Sequence, residues 1–313
     1  MGNIVLSVKN LIKIFNNRVA VNNVSFQIEE GQIFGLLGPS GSGKSIIMRI
    51  VSGLTPFHRG NIVICNHSLK DDYKKAISNV GSYVVVPRFY NYMSGYANLK
   101  YIAKLCKIKI SKKEILNLAK LVGLEGNIHK LVLNYSMGLK QRLGIAQALL
   151  SKPKLLILSE PLTGLDIKGI SDICSLLKLI AREYNMAILI SSHMLGELEK
   201  FCDVICVMAN GQVQTIKTIA ELNNENEYSK KLKITVDYPN FAGKIIFNEL
   251  KYKVNIAGNA IIVYTNEDAL PKIVERLKFY KLSIFNIEVV SKSLEQIFDE
   301  IIERKAINKN WLN

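Results

Sequence analysis

The chain has 313 residues, 49% of them hydrophobic and 21% charged, with a formal net charge of +15. That composition excludes a disordered chain and leaves room for one large domain and a smaller one. No window holds the apolar run that a bilayer crossing needs, and Met1-Gly2-Asn3-Ile4-Val5 lacks the basic stretch and apolar core of a signal peptide, so the chain is expected in the cytoplasm. Gly2 does not make a myristoylation signal, because Leu6 stands where Ser or Thr is required. The densest basic runs, Lys107 to Lys113 and Lys230 to Lys233, are broken by apolar residues, so the charge reads as solvated faces and a nucleic-acid partner is not expected. Cys65, Cys106, Cys174, Cys202 and Cys206 are scattered and odd in number, which fits buried free thiols better than a metal site or disulfides.

In chain order, Gln32 to Leu37 is a short apolar run that predicts a buried strand, and Ile46 to Val51 predicts a helix. Between them lies Gly38-Pro39-Ser40-Gly41-Ser42-Gly43-Lys44-Ser45, a G-x-x-x-x-G-K-S loop in its required strand-to-helix setting. Glycines let the backbone curl so that successive N–H groups face phosphate oxygens, and the helix N-terminus adds its dipole. Lys44 supplies a mobile positive charge, and the Ser45 hydroxyl can ligate Mg²⁺. The loop alone does not choose among the many proteins that hold a nucleoside triphosphate.

From Val80 to Leu150 the pattern is mostly helical, with helices expected over Tyr96 to Lys107 and Lys112 to Leu121. Ser111 and Glu114 form a capping box for the second. Asn134-Tyr135-Ser136-Met137-Gly138-Leu139-Lys140-Gln141-Arg142 then opens an alanine-containing helix, so Ser136 and Gly138 sit at another helix N-terminus able to hold phosphate. Leu155 to Leu158 predicts a strand ending at Ser159-Glu160-Pro161, followed by Thr163-Gly164-Leu165-Asp166. A further apolar run, Ala187 to Ile190, leads into Ser191-Ser192-His193.

After Leu222 the composition changes. Asn223-Asn224-Glu225-Asn226-Glu227 reads as a polar linker over 223–230. Strands are then expected over Lys231 to Asp237, Lys253 to Ile256, Ala260 to Tyr264 and Ser283 to Val290, with helices over Ala242 to Leu250 and Asp268 to Tyr280. The order β-α-β-β-α-β predicts a small ferredoxin-like α+β domain within 231–313, closed by a helix from Ser293 with Gln296 as its capping-box partner.

These motifs, in this order and spacing, resemble the ABC ATPase family over about Ile4 to Leu222. The S-x-G-x-K-Q-R form at Ser136 is similar to that of bacterial drug and peptide exporter ATPases, and the run Ser293-Leu294-Glu295 to Phe298 resembles the tail of many of them. The resemblance implies an α/β P-loop ATPase domain over 1–222, with a helical subdomain at about 87–150. It implies ATP and Mg²⁺ as cofactors, held by Phe15 against adenine and by Gly38, Pro39, Ser40, Gly41, Ser42, Gly43, Lys44, Ser45 and Ile46 around the phosphates. It gives Glu160 the role of polarising water, His193 that of contacting the γ-phosphate, and Ser136 and Gly138 that of acting on ATP held by a second ATPase subunit. It further implies an integral membrane permease as partner and a place at the cytoplasmic face of the membrane. Pro87-Arg88-Phe89-Tyr90-Asn91-Tyr92-Met93 would be the edge that meets the permease, since aromatics, Met and Arg suit a protein interface.

Three positions depart from the family pattern. Ser159 stands where an Asp helps hold Mg²⁺, Val85 where a Gln or Glu reaches metal and water, and Ile46 where a second hydroxyl residue follows Ser45. Each removes polarity from the metal and γ-phosphate region. A unit charge about 4 Å from another is worth about 4 kcal/mol at an effective dielectric of about 20, up to about a thousandfold in rate. The expectation is an ATP-binding subunit with weakened hydrolysis at its own site, paired with a like or unlike second subunit. A non-transport ABC protein fits less well, because the chain has one phosphate loop and no sustained heptads. A regulatory subunit with negligible turnover stays open.

Overall fold

The computed structural model describes residues 2–84, 89–222, 231–265 and 267–290. Val85, Pro87 and Arg88, the polar linker, and the closing helix with Ser293, Gln296 and Phe298 lie outside those residues. The chain divides into two compact units, Met1–Lys217 and Thr218–Asn313. Among the described residues no helix is long and apolar enough to cross a membrane.

The first unit begins with two long antiparallel strands, β1 (Ile4–Phe15) and β2 (Arg18–Glu29). They are joined by Asn16 and Asn17, both at positive φ (46° and 62°), the backbone that a two-residue hairpin turn requires. With β4 (Arg59–Ile64) and β5 (His67–Ser68) they form a sheet in the order β2-β1-β4-β5.

The second sheet positions the site. Its order is β10-β9-β3-β8-β7-β6, built from β3 (Ile33–Leu37), β6 (Val80–Tyr83), β7 (Leu155–Ser159), β8 (Ala187–Ser192), β9 (Val204–Ala209) and β10 (Gln212–Thr218). Strands β9, β3, β8, β7 and β6 run parallel. Every residue of β3 and β8 is buried, as are the first four of β7, which is why these segments read as continuous apolar runs rather than alternating ones. Phe26 of β2 stacks on Phe34 of β3 at 5.1 Å between centroids, tying the first sheet to the second.

Helix α1 (Lys44–Val51) follows β3 and buries Ile47, Met48, Ile50 and Val51 in the shared core. It starts two residues before the expected Ile46, because Gly43 at φ 101° turns the chain straight into the helix. After the short α2 (Tyr73–Ser78) come α3 (Gly95–Leu105) and α4 (Lys112–Leu121). The first of these stops short of the expected Lys107, which adopts φ 55°. The capping box forms as predicted: Glu114 N–H donates to Ser111 Oγ at 3.2 Å and Ser111 N–H to Glu114 Oε2 at 2.9 Å. The unit is completed by α5 (Met137–Leu149), α6 (Ile167–Glu183) and the short α7 (Leu195–Leu198). Cys174, Cys202 and Cys206 are buried, Cys65 is partly buried, and Cys106 is exposed, against the expectation of uniformly buried thiols.

The second unit carries an antiparallel sheet in the order β12-β13-β11-β14, from β11 (Lys231–Val236), β12 (Lys253–Ala257), β13 (Ala260–Tyr264) and β14 (Ile284–Val290). Helices α8 (Pro239–Leu250) and α9 (Leu270–Phe279) pack through Ile245, Ile246, Ile273 and Leu277 against Leu232, Ile234, Ile261 and Val263. The described elements follow the order β-α-β-β-α-β.

Strand β6 runs tightly beneath the C-terminal end of α5. A Cβ on Gly81 would lie 2.0 Å from Ala148 O and 2.7 Å from Pro153 Cγ. Gly81→Ala is expected to destabilise the first unit by about 1–3 kcal/mol, the usual cost of overpacking. The urea midpoint should fall with an unchanged slope, and a wild-type midpoint would contradict this packing.

Candidate functional site

The parallel sheet ends its strands β3, β7 and β8 along one edge, where α/β folds place their ligands. There β3 gives way to the loop from Gly38, β7 ends at Ser159 and Glu160, and β8 at Ser191, Ser192 and His193. A cavity of about 610 Å³ lies among them, lined by the loop from Ser40 to Ile46 and by Ser159, Glu160, Thr163 and His193.

The loop is fixed by close backbone approach. A Cβ on Gly38 would lie 2.3 Å from Met208 O, and one on Gly43 would lie 3.1 Å from Ala20 O in addition to its strained φ of 101°. Gly211 N–H donates to Ser42 O at 3.2 Å, anchoring the loop to the β9–β10 turn. No side chain caps α1, so the leading N–H groups of Lys44 and Ser45, which line the cavity, are left for a ligand, while Ile46 N–H donates to Gly43 O at 3.1 Å. Lys44 folds back over its own loop and donates to Gly38 O at 2.6 Å and Pro39 O at 3.1 Å. Burial pushes its pKa down, opposed by the negative charge of Glu160.

Glu160 occupies the left-handed region at φ 48°, a conformation that costs a non-glycine residue on the order of 1–3 kcal/mol. Its backbone is held there by neighbouring β8: Glu160 N–H donates to Ser191 O at 3.1 Å and also reaches Ser191 Oγ at 3.3 Å. The carboxylate Oε2 sits 3.0 Å from His193 Nδ1 and accepts from Thr163 Oγ1 at 3.5 Å. Ser191 Oγ in turn donates to Ser159 Oγ at 3.4 Å. A carboxylate, an imidazole and an ammonium therefore converge on one cavity beside a row of backbone donors, an arrangement able to bind phosphate and to accept a proton from water.

Of the residues predicted for the site, Ser40 to Ile46, Ser159, Glu160 and His193 line this cavity. Gly38 and Pro39 join it through their carbonyls on Lys44. Phe15 does not line it; it ends β1, is 45% exposed, and carries the Lys13 ammonium 4.6 Å from its ring centroid. Ser136 and Gly138 line a separate cavity of about 430 Å³, shared with Arg142, Asp166 and Gly169. There Ser136 caps α5 by accepting from Leu139 N–H at 3.3 Å, and Asp166 caps α6 by accepting from Gly169 N–H at 2.8 Å. The first cavity also takes in Met137, Gln141, Thr163 and Gly164, which the sequence reading had quoted in its motifs without giving them a place there.

Comparison with known proteins bears on this arrangement directly. The model of the ABC transporter family matches residues 21–163. The chain is 37% identical to an uncharacterised ABC transporter ATP-binding protein, YhcH, of Bacillus subtilis, over 95% of both chains. It is 34% identical to the bacitracin transport ATP-binding protein BcrA of Enterococcus faecalis, over 95% of this chain and 96% of that one. Among solved structures, the dimeric bacterial ABC transporter cassette MJ0796 superposes with a TM-score of 0.60 at 25% identity, covering 68% of this chain and 98% of that one. CbiO1 of Clostridium perfringens, part of an ABC transporter complex, shares the fold with a TM-score of 0.64 at 24% identity, over 80% and 97%. With relatives of this similarity matched over nearly their whole length, the chain belongs to the ATP-binding subunits of ABC transporters, a family of P-loop ATPases.

Proposed function

We propose that this subunit binds Mg-ATP in the cavity between its phosphate loop and Glu160, and drives export of an antimicrobial peptide or related drug through a separate membrane permease. In this reading its own site hydrolyses slowly. One observation carries it: the loop, Glu160 and His193 share one cavity, yet the residue beside Glu160 on β7 is the neutral Ser159. The bacitracin transport protein among its relatives supports the substrate class.

The chain's own residues have distinct tasks. The N–H groups of Gly41, Gly43, Lys44 and Ser45 and the Lys44 ammonium hold the phosphates, Lys44 exchanging its bonds to Gly38 O and Pro39 O for phosphate oxygens. Glu160 orients and polarises a water molecule, and its bond to His193 lets the imidazole sense the terminal phosphate. Among the described residues no cluster of His, Cys, Asp and Glu makes a metal cage. The Ser45 and Ser159 hydroxyls fit a Mg²⁺ ion that takes most of its ligands from phosphate and water. When bound, Mg²⁺ neutralises phosphate charge. Ser159 offers it a neutral oxygen already engaged with Ser191, which is the physical basis of the weakened turnover.

The separate cavity at Ser136, Gly138 and Asp166 supports a second ATPase subunit arranged head to tail, whose nucleotide these residues would complete. A weak site here favours an unlike partner with a strong one. Attachment to the permease, and so to the cytoplasmic face of the membrane, is assigned to the surface around Tyr92. Tyr92 is 75% exposed and packs edge-on against Tyr90, which packs against Tyr101. Leu133 is 67% exposed and its N–H donates to Asn91 O, so the aromatic and aliphatic groups form one patch.

The purified chain alone is expected to turn over ATP well below one per second, and Ser159→Asp to raise that rate at least tenfold by restoring charge at the metal. Several turnovers per second in the unsubstituted chain, or no response to Ser159→Asp, would overturn the weakened-site reading. ATP affinity should fall as pH rises, and the fall should begin below the titration range of a free lysine, because burial already lowers the Lys44 pKa and only its charged form attracts phosphate. Lys44→Arg should bind more weakly with a profile flat across the same range. Tyr92→Ser together with Leu133→Ser should release the subunit from permease-containing membranes while leaving ATP affinity unchanged; unchanged co-sedimentation would remove that surface from the account.

A further inference from the structure

The helices of the second unit cover one face of its sheet. They pack against Leu232, Ile234, Ile261 and Val263, so strand alternation turns Lys231, Lys233, Ile262, Tyr264, Lys253 and Asn255 to the other face, where no described element of this unit packs. Register sets these residues in rows across the strands. In one row Lys231 of β11 and Lys253 of β12 flank Tyr264 of β13, their ammonium groups 4.7 and 5.5 Å from its ring centroid. In the next, Lys233 pairs with Glu288 of β14 at 3.2 Å. Asn255 Nδ2 donates to the Tyr264 hydroxyl at 2.9 Å and steadies the ring between the two lysines. Neither Lys231 nor Lys253 has a carboxylate partner among the described residues. Like charges held on either side of one ring repel, and an anion placed over them relieves the repulsion.

The chain's own sequence supplies such an anion. Beyond Val290, whose backbone pairs with Lys231, the stretch Ser291 to Glu303 lies outside the described residues and carries Glu295, Asp299, Glu300 and Glu303 against Lys292 alone, in a chain of net charge +15. Leu294, Ile297, Phe298, Ile301 and Ile302 recur in it at helical spacing, with Glu295 and Glu300 bordering that stripe on its two sides. From Val290 across β11 and β13 to Lys253 is three strand spacings, about 14 Å, and the chain from Val290 to Glu295 reaches up to about 17 Å. We propose that the open sheet face is the docking surface for this chain's own segment 291–303, its carboxylates meeting Lys231 and Lys253 and its apolar stripe lying on Ile262 and Tyr264.

The test is carbodiimide cross-linking of the full chain, read by mass spectrometry, with hydrogen exchange alongside. Carbodiimide joins a carboxylate to a neighbouring ammonium as an amide with loss of water, and the Lys233–Glu288 pair serves as the internal standard. Links from Glu295 or Glu300 to Lys231 or Lys253 are expected, and in a mixture of isotope-labelled and unlabelled chains they should join residues of the same label. Lys231→Glu with Lys253→Glu should speed amide exchange across 294–303 about tenfold, since two attractions become repulsions, and Glu295→Lys with Glu300→Lys should do the same. All four reversals together should restore most of the protection. The amides of β11 should stay protected in every variant, which separates undocking from unfolding. Free-chain exchange across 294–303 in the unsubstituted protein, exchange indifferent to either pair of reversals, or links formed only between labelled and unlabelled chains would each overturn the proposal.

Discussion

Two adjacent strands end in register, and the site depends on it. Ser159 of β7 pairs with Ser191 of β8, and one residue later Glu160 N–H donates to Ser191 O. That bond, with the Ser191 hydroxyl beside it, holds Glu160 in the left-handed conformation that swings its carboxylate toward the loop after β3. The same strand delivers His193 two residues further on, close enough to bind the carboxylate at 3.0 Å. Loosening the β7–β8 pairing would therefore disturb carboxylate, imidazole and the Ser159 hydroxyl together. The parallel sheet fixes this register by burying all of β8 and nearly all of β7, so a slip by one residue would drive polar Ser191 and Ser192 deeper into the core.

In the proposed reading, electrostatics in this frame favour holding ATP over splitting it. Lys44 is desolvated, faces Glu160, and spends its hydrogen bonds on its own loop until phosphate replaces them. Around it the described cavity offers one carboxylate, hydroxyls and an amide. A neutral hydroxyl at Ser159 leaves the metal dependent on phosphate and water for its charge balance. Binding draws mainly on backbone donors and Lys44, which are intact. Turnover, in the proposed reading, draws on charge near the metal, where Ser159 is neutral. The two demands separate along physically different groups.

Much of this was legible in the sequence because the decisive signals are local. The strand–loop–helix at Gly38 to Ser45, the capping box at Ser111 and Glu114, and the buried runs of β3, β7 and β8 each lie within a few residues. The antiparallel pair β1 and β2 was not legible, apart from Phe15, because bulges interrupt its alternation: the register shifts between Val8 and Leu11, and Asn10 and Asn23 take positive φ. Helix α8 starts at Pro239, earlier than its apolar periodicity announces, because proline is preorganised for the first helical position. The contact of Gln141 was out of reach for another reason. Its partner Tyr83 is 58 residues away, and only the packing of β6 under α5 brings them together. Phe15, matched by resemblance to adenine stacking, stands exposed at the end of β1, apart from the residues that line the phosphate cavity.

The most direct measurement of the central claim, that this cavity holds Mg-ATP more readily than it cleaves it, is a single-turnover quench experiment with labelled ATP and the chain in excess. The account predicts that ATP binds fully within a second and is recovered largely intact after tens of seconds. Conversion of the bound ATP to ADP within the first second would contradict it.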